Sequence, residues 1–241
     1  MINNIFFFTI LSIILGYIYY KIKFPFWSKQ PVFHFHNLRY WFFPPGIIQS
    51  EKPKIDKFFD ASIDFYNFDS IPTEKKALFT ALIQSHYMPH KHEKYTPSSK
   101  DIFDYFVSHE KPSFLSLNFK NSTLVSSMTT RPLKCTVNKN SIDLYYVDFL
   151  CVHQNFRKKG NAPKTIYTHY YKSRYQNNNS IFLFKREGET TAIVPLTAYR
   201  NYCYDLRHFV PKVEFTHPKQ KTVLINDSNL NLFFDIEKTL H

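Results

Sequence analysis

Residues 144–163 read L-Y-Y-V-D-F-L-C-V-H-Q-N-F-R-K-K-G-N-A-P, and the two halves of this stretch decide the fold. Residues 144–152 are aromatic and aliphatic with one acidic break at Asp148. That length and composition predict a buried strand. The chain then turns basic and small through Arg157, Lys158, Lys159, Gly160, Asn161 and Ala162, and residues 164–175 have the pattern of a helix. The unit is strand, basic glycine turn, helix. Backbone N–H groups at such a turn, joined by the positive end of the helix dipole, form an anion site. Three cationic side chains beside it suit a pyrophosphate better than a single carboxylate. The stretch reads as a cradle for the phosphates of a coenzyme.

The totals frame that reading. A chain of 241 residues can bury a sizeable core as one domain. With 26 Phe, 17 Tyr and only 4 Gly it is not the composition of a disordered chain. The net charge of +12 attracts phosphate in some form. The basic residues are scattered apart from Arg157, Lys158 and Lys159 and the tail around 212–221, and no nucleic-acid-binding motif is present, so nucleic acid is not an expected partner. Cys135, Cys151 and Cys203 are an odd, sparse set, which fits a reducing compartment and not a disulfide framework. Cys151 lies inside the apolar strand, where a free cysteine acts as a small hydrophobe.

Residues 5–20 carry no charge and would span about 24 Å as a helix. Tyr17, Tyr19, Tyr20, Lys21 and Lys23 can extend that reach at a bilayer interface. No basic leader precedes the segment and no small-residue cleavage site follows, so residues 1–23 read as a retained membrane anchor. Lys21, Lys23 and Lys29 follow it, and the positive-inside rule then places the body, 24–241, in the cytosol. Residues 23–49 are aromatic and proline-rich, an extended arm that straps over apolar surface. His34 and His36 within it lack the acidic or cysteine partners of a metal site, and no metal is expected.

Further on, a helix is expected from Thr73, capped by Thr73 or Ser70, with Ala77, Leu78, Ala81 and Leu82 as its apolar stripe. A polar loop with three histidines follows at 86–95, then a short helix at 101–108. Strands are expected at 114–119, 123–130, 133–137, 144–152 and 181–184, and the helix at 164–175 falls between the last two. A helix at 197–207, strands at 212–215 and 222–225 and a last helix at 230–240 complete the pattern. The order is that of an α/β fold, a mixed central sheet flanked by helices, with a meander before the crossover.

The run Arg157-x-x-Gly160-x-Ala162 between a strand and a helix resembles the acyl-CoA signature of the GNAT acyltransferase superfamily. The flanks sharpen this. Phe149-Leu150-Cys151-Val152-His153, followed by Arg157, Lys159, Ala162 and Pro163, resembles the F-L-C-V-H…R-x-K-x-x-A-P block of glycylpeptide N-myristoyltransferases. Phe26-Trp27-x-x-Gln30-Pro31-Val32 resembles that family's F-W-x-T-Q-P-V opening, and Pro195, Arg200 and Tyr202 resemble the stretch before its second half.

The resemblance implies a GNAT-like acyl-CoA N-acyltransferase fold behind a transmembrane helix. It implies that backbone N–H groups of Phe149 and Leu150 form an oxyanion hole for the thioester carbonyl. It implies a CoA site of Phe26, Trp27, Cys151, Val152, Arg157, Lys158, Lys159, Gly160, Asn161, Ala162 and Pro163. The cosubstrate would be an acyl-CoA, either myristoyl-CoA or acetyl-CoA, and the acceptor a peptide or protein N-terminal amine attacking the thioester directly. Three departures stand beside this. Asp148 replaces the family's Asn, Gly160 replaces an Arg, and a His- and Lys-rich segment replaces the acidic loop. The resemblance covers only the first of the family's two halves, and the half that carries its catalytic base is not part of it. Two alternatives stay open: acetyl transfer, and an inactive membrane-tethered module that binds acyl-CoA or an acyl-peptide.

Overall fold

In the computed structural model the described residues are 2–42, 46–87, 95–107, 109–137, 139–177, 179–186, 193–198, 200 and 202. The chain divides into two units, Met1–Pro195 and Leu196–His241. The elements expected across 197–240 therefore lie almost wholly outside the described residues, as do Cys203 and most of the histidine-rich loop.

Among its described residues the first unit holds five strands: β1 (Asp64–Asn67), β2 (Phe114–Lys120), β3 (Thr123–Val137), β4 (Asn140–Val152) and β5 (Phe182–Phe184). They form one sheet in that order. The first four pair antiparallel and β5 joins β4 in parallel. This is the expected meander followed by a crossover, and the crossover is a helix, as a parallel connection requires. Three sequence expectations change. β1 was hidden in a polar stretch. β3 is one strand, not two broken at Pro132. Beyond Thr130 it pairs only with β4, so Pro132 sits where one side of the strand is open and its missing N–H breaks no ladder. β4 begins at Asn140.

The helices are α1 (Ile2–Lys23), α2 (Leu38–Phe42), α3 (Thr73–His86), α4 (Ser99–Asp104) and α5 (Asn161–Asn177). α1 is long and apolar enough to cross a membrane, and its side chains from Ile5 onward are exposed almost throughout. α3 is capped by neither expected residue: Pro72 occupies the cap without a side-chain bond. Its buried stripe is Phe79, Leu82 and Ile83, while Ala77 and Ala81 face outward. The larger side chains win the core because burial scales with apolar area. α4 starts earlier than expected, at a capping box in which Ser98 Oγ accepts from Asp101 N and Asp101 Oδ2 accepts from Ser98 N.

α3 and α4 pack on one face of the sheet, where Phe79, Ile83, Ile102 and Phe106 meet Leu115 and Leu117. The other face carries α5. Side chains alternate along β2, so Ser116, between those two leucines, meets His169 of α5. The arm lies along the far edge: Phe33 and His34 pair with Ile193 and Val194.

Candidate functional site

The site begins with a break in the β3–β4 ladder. Ser127 pairs with Cys151 and Thr129 with Asp148, so Met128 alone faces both Phe149 and Leu150. Two residues opposite one is a β-bulge, which takes the extra residue out of the ladder. Phe149 has φ 38°, a conformation that bulky side chains rarely adopt. Packing holds it there. The Phe149 ring lies among Phe79, Phe106 and Tyr87, with centroids 5.2 to 6.2 Å away. Leu150 beside it is 37 % exposed.

After β4 the chain makes a single 3-10 turn, Gln154–Phe156, pinned by His153 N donating to Val125 O at 2.9 Å. The turn to α5 then needs two left-handed residues, Lys158 at φ 59° and Gly160 at φ 76°. Glycine takes that conformation without strain. Asn161 opens α5 and is buried, its Nδ2 donating to Phe156 O at 2.8 Å. Pro163 sits in the first turn, where a helix has no use for its missing N–H.

Arg157 is placed otherwise than a free phosphate ligand. Its Nε donates to Val152 O at 3.0 Å and its Nη2 to His86 O at 2.7 Å. It therefore staples the basic turn to the end of β4 and to the C-terminus of α3, whose dipole favours a cation. The His86 and His153 rings lie with centroids 4.0 Å apart, tilted by 46°. Lys158 and Lys159 are exposed, and neither makes an ion pair among the described residues. Their charge is available to an anion.

Two cavities meet here. One, of about 560 Å³, is lined by residues 150–152, by Arg157, Lys158 and Gly160, and by Asn161, Ala162 and Pro163. The other, of about 660 Å³, runs past the bulge between the arm, α5 and β5, with Trp27, Ile48, Met128, Ile166 and Phe182 among its walls. Leu150 and Tyr87 line both. The structure thus brings most of the expected residues together and sets three apart. Phe26 lines neither cavity; it is 5 % exposed and packs on Phe58 at 5.1 Å. Lys159 lies over Phe156 at 5.7 Å and outside the cavity wall. Trp27 stacks on Phe184 and belongs to the larger cavity, not to the basic turn.

Electrostatics divide the same residues by role. Cys151 is buried, and burial pushes its thiol up to about 12, so it is no nucleophile at neutral pH. Asp148 lines the larger cavity and is paired with Arg131 at 3.1 Å. Burial raises its carboxyl to about 6, against the pull of that arginine. In the sequence Asp148 stands out only as the acidic break in an apolar strand and as a departure from the family's Asn. Met128, Ile166 and Tyr170, also in the walls, sit on elements that look like ordinary core, and Tyr87 belongs to the polar loop expected at 86–95, where nothing local singles it out. The bulge had no sequence signal beyond the F-L-C-V-H resemblance.

Comparison with known proteins bears on the family and the fold. Residues 50–181 match the family described as myristoyl-CoA:protein N-myristoyltransferase, N-terminal domain. No curated protein sequence matches the chain. A crystal structure of Saccharomyces cerevisiae N-myristoyltransferase with bound myristoyl-CoA is similar in fold, with TM-score 0.52 and 19 % identity over 66 % of this chain and 39 % of that one. A second structure of the yeast enzyme with bound myristoyl-CoA gives TM-score 0.51 and 20 % identity over 67 % of this chain and 38 % of that one. The matched region thus spans under two fifths of the yeast enzyme. The family match covers more than half of the chain, so the chain belongs to the myristoyl-CoA:protein N-myristoyltransferase family through its N-terminal domain.

Proposed function

We propose that the chain is an acyl-CoA-dependent N-acyltransferase that moves a fatty acyl group of the myristoyl class from CoA to the N-terminal amine of a peptide or protein. The observation that carries this is the bulge at Phe149 and Leu150, placed where the basic-turn cavity and the larger, mostly apolar cavity meet. CoA phosphates would lie at the start of α5, against the N–H groups near Gly160 to Ala162 and the charges of Lys158 and Lys159. The thioester carbonyl would lie at the bulge. Backbone N–H groups of Phe149 and Leu150 would stabilise the negative charge that develops on its oxygen. The acyl chain would fill the larger cavity, whose 660 Å³ is of the size that holds small-molecule ligands. Family membership supports the same reading. An acetyl group would leave most of that cavity unfilled, which favours the longer chain.

Residues 24–241 would form the acyltransferase body. α1 would anchor it in a membrane as a single pass, and Lys21, Lys23 and Lys29 after the span favour a cytosolic body.

Titration of the full chain in detergent micelles with myristoyl-CoA and acetyl-CoA, followed by transfer to a peptide with an N-terminal glycine, tests this. Saturable binding is expected, with acetyl-CoA about 100-fold weaker or more because its methylenes are missing. Equal binding of the two would overturn the long-chain reading. No saturable binding of either, or binding without transfer, would overturn the enzyme.

A further inference from the structure

Asp148 is the residue before the bulge and lines the larger cavity beside Phe149 and Leu150. Its Oδ2 accepts from Arg131 Nε at 3.1 Å, and its Oδ1 makes no hydrogen bond among the described residues. Arg131 is itself held, its guanidinium lying 4.6 Å from the Tyr105 ring and 5.2 Å from the Tyr146 ring. The carboxylate is therefore positioned from one side and has an oxygen to offer on the other. Its side chain is 17 % exposed, so the site is largely screened from bulk water yet reachable from the cavity.

A primary amine arrives at neutral pH as an ammonium ion, which has no lone pair for attack. Something beside the thioester must take a proton. We propose that Asp148 is that proton acceptor, a catalytic residue for amine attack at the carbonyl held by the bulge; this rests on the acyltransferase reading above.

The steps balance as follows. The Asp148 carboxylate takes one proton from R–NH3⁺ and becomes a carboxylic acid. The freed lone pair forms the N–C bond at the thioester carbon, and the carbonyl electrons move onto oxygen, facing the Phe149 and Leu150 N–H groups. The intermediate collapses, the C–S bond breaks, and the CoA thiolate takes the proton from Asp148. The regenerated carboxylate takes the second proton from nitrogen and releases it to solvent. The products are an amide, CoA thiol and one proton.

The surroundings suit the task. A base works best when its pKa lies near the working pH. Burial lifts Asp148 to about 6, and Arg131 restrains the rise, so the group is ionised at neutral pH and still basic enough to hold a proton briefly. Arg131 from β3 pairs with it and lies over Tyr105, and the other ionisable groups that share its cavity are Tyr87 after α3, Tyr170 from α5, and Lys185 and Arg186 beyond β5. Among these neighbours Asp148 is the sole carboxylate, so it is the group that both attracts an ammonium and accepts its proton.

The test uses the full chain in micelles and compares wild type with Asp148→Asn and Asp148→Glu. Myristoyl-CoA binding is measured first, then single-turnover transfer to the glycine peptide across about pH 5 to 8. Asp148→Asn should bind myristoyl-CoA within about twofold of wild type and transfer about 100-fold more slowly or worse. Wild-type transfer should fall as pH drops through about 6, because the carboxylate protonates, and that limb should vanish in Asp148→Asn. Asp148→Glu should recover part of the rate. Transfer by Asp148→Asn within about threefold of wild type, with the acidic limb intact, would overturn the assignment. So would a wild-type chain that binds myristoyl-CoA and transfers nothing. A chain that binds no acyl-CoA would instead remove the acyltransferase reading itself, and the assignment with it.

Discussion

The two faces of the sheet are made from opposite chemistry. Toward α3 and α4 the contact is apolar and aromatic: Phe68 stacks on Phe106 at 4.2 Å, and Phe79, Leu82 and Ile83 close over Leu115 and Leu117. Toward α5 the contact is built of hydroxyls and an imidazole. Ser126 Oγ meets Thr165 Oγ1 at 2.7 Å, and His169 bridges Ser116 at 2.8 Å and Thr130 at 2.9 Å. Apolar contact is non-directional and stabilises in proportion to area. A buried hydrogen bond has one partner and one geometry, and leaving it unmade is expensive. The apolar face therefore supplies bulk stability and clamps the Phe149 ring. The polar face sets the register of α5 on the sheet. The basic turn is the start of α5, so that register also sets the distance from the turn to the bulge.

Five substitutions or conditions would break this contrast. The largest effect is expected at Phe79, which is fully buried on the apolar face. Phe79→Ala should lose about 3–5 kcal/mol in denaturant unfolding, the usual range for a vacated aromatic. His169→Leu should lose less, about 2–3 kcal/mol, because the Ser116 and Thr130 hydroxyls stay buried without their partner. Adding Ser116→Ala and Thr130→Val to it should restore more than half of the loss. Failure to recover would mean that His169 matters by volume and not by its bonds.

Arg157→Ala comes next. It removes two hydrogen bonds that tie the turn to β4 and α3, and should lose about 1–3 kcal/mol of stability as well as weaken myristoyl-CoA binding. Lys158→Ala makes the complementary case. Lys158 is exposed and unpaired among the described residues, so stability should change by less than about 0.5 kcal/mol while CoA binding still weakens. If the lysine variant unfolds as readily as the arginine variant, the division of labour within the turn is wrong.

pH probes the polar face without mutation. Burial pushes the His169 imidazole down to about 3. In the unfolded chain it would titrate near the ordinary imidazole value of 6.5. Below that pH the unfolded chain binds a proton that the folded chain refuses. Stability should therefore be full above about 6.5 and fall as pH drops toward 3, by about 1.4 kcal/mol per unit from this group. His169→Leu should flatten the slope.

The same contrast governs what was legible in advance. The apolar face announces itself: runs such as residues 114–119 and 144–152 have the pattern of strands, and Ala77, Leu78, Ala81 and Leu82 recur at helical spacing in α3. The basic turn was legible because glycine, lysines and a following helix have a chemistry that any order of neighbours preserves. The polar face was not. Thr165, Thr168, His169 and Ser173 are residue types that carry no sign of burial in the sequence, yet all four are buried. The hydrogen-bond partners of Thr165 and His169 on the sheet lie 39 to 53 residues away in sequence and that of Thr168 lies 108 away, and nothing local signals them. Arg174 was invisible for the same reason: it is 1 % exposed and donates to the carbonyls of Ser50 and Glu51, holding the strap to the end of α5. Asp148 showed itself in sequence only as an exception; its carboxylate became informative once Arg131 and the cavity were seen beside it.

The central claim is that the bulge at Phe149 and Leu150 receives the thioester carbonyl. A crystal structure of the full chain with a non-hydrolysable myristoyl-CoA analogue tests it most directly. The account predicts the analogue's carbonyl oxygen about 2.7–3.1 Å from the backbone nitrogens of Phe149 and Leu150, with its phosphates at the start of α5 and its chain in the larger cavity. A carbonyl placed elsewhere, with those two N–H groups donating to Met128 or to solvent, would contradict it.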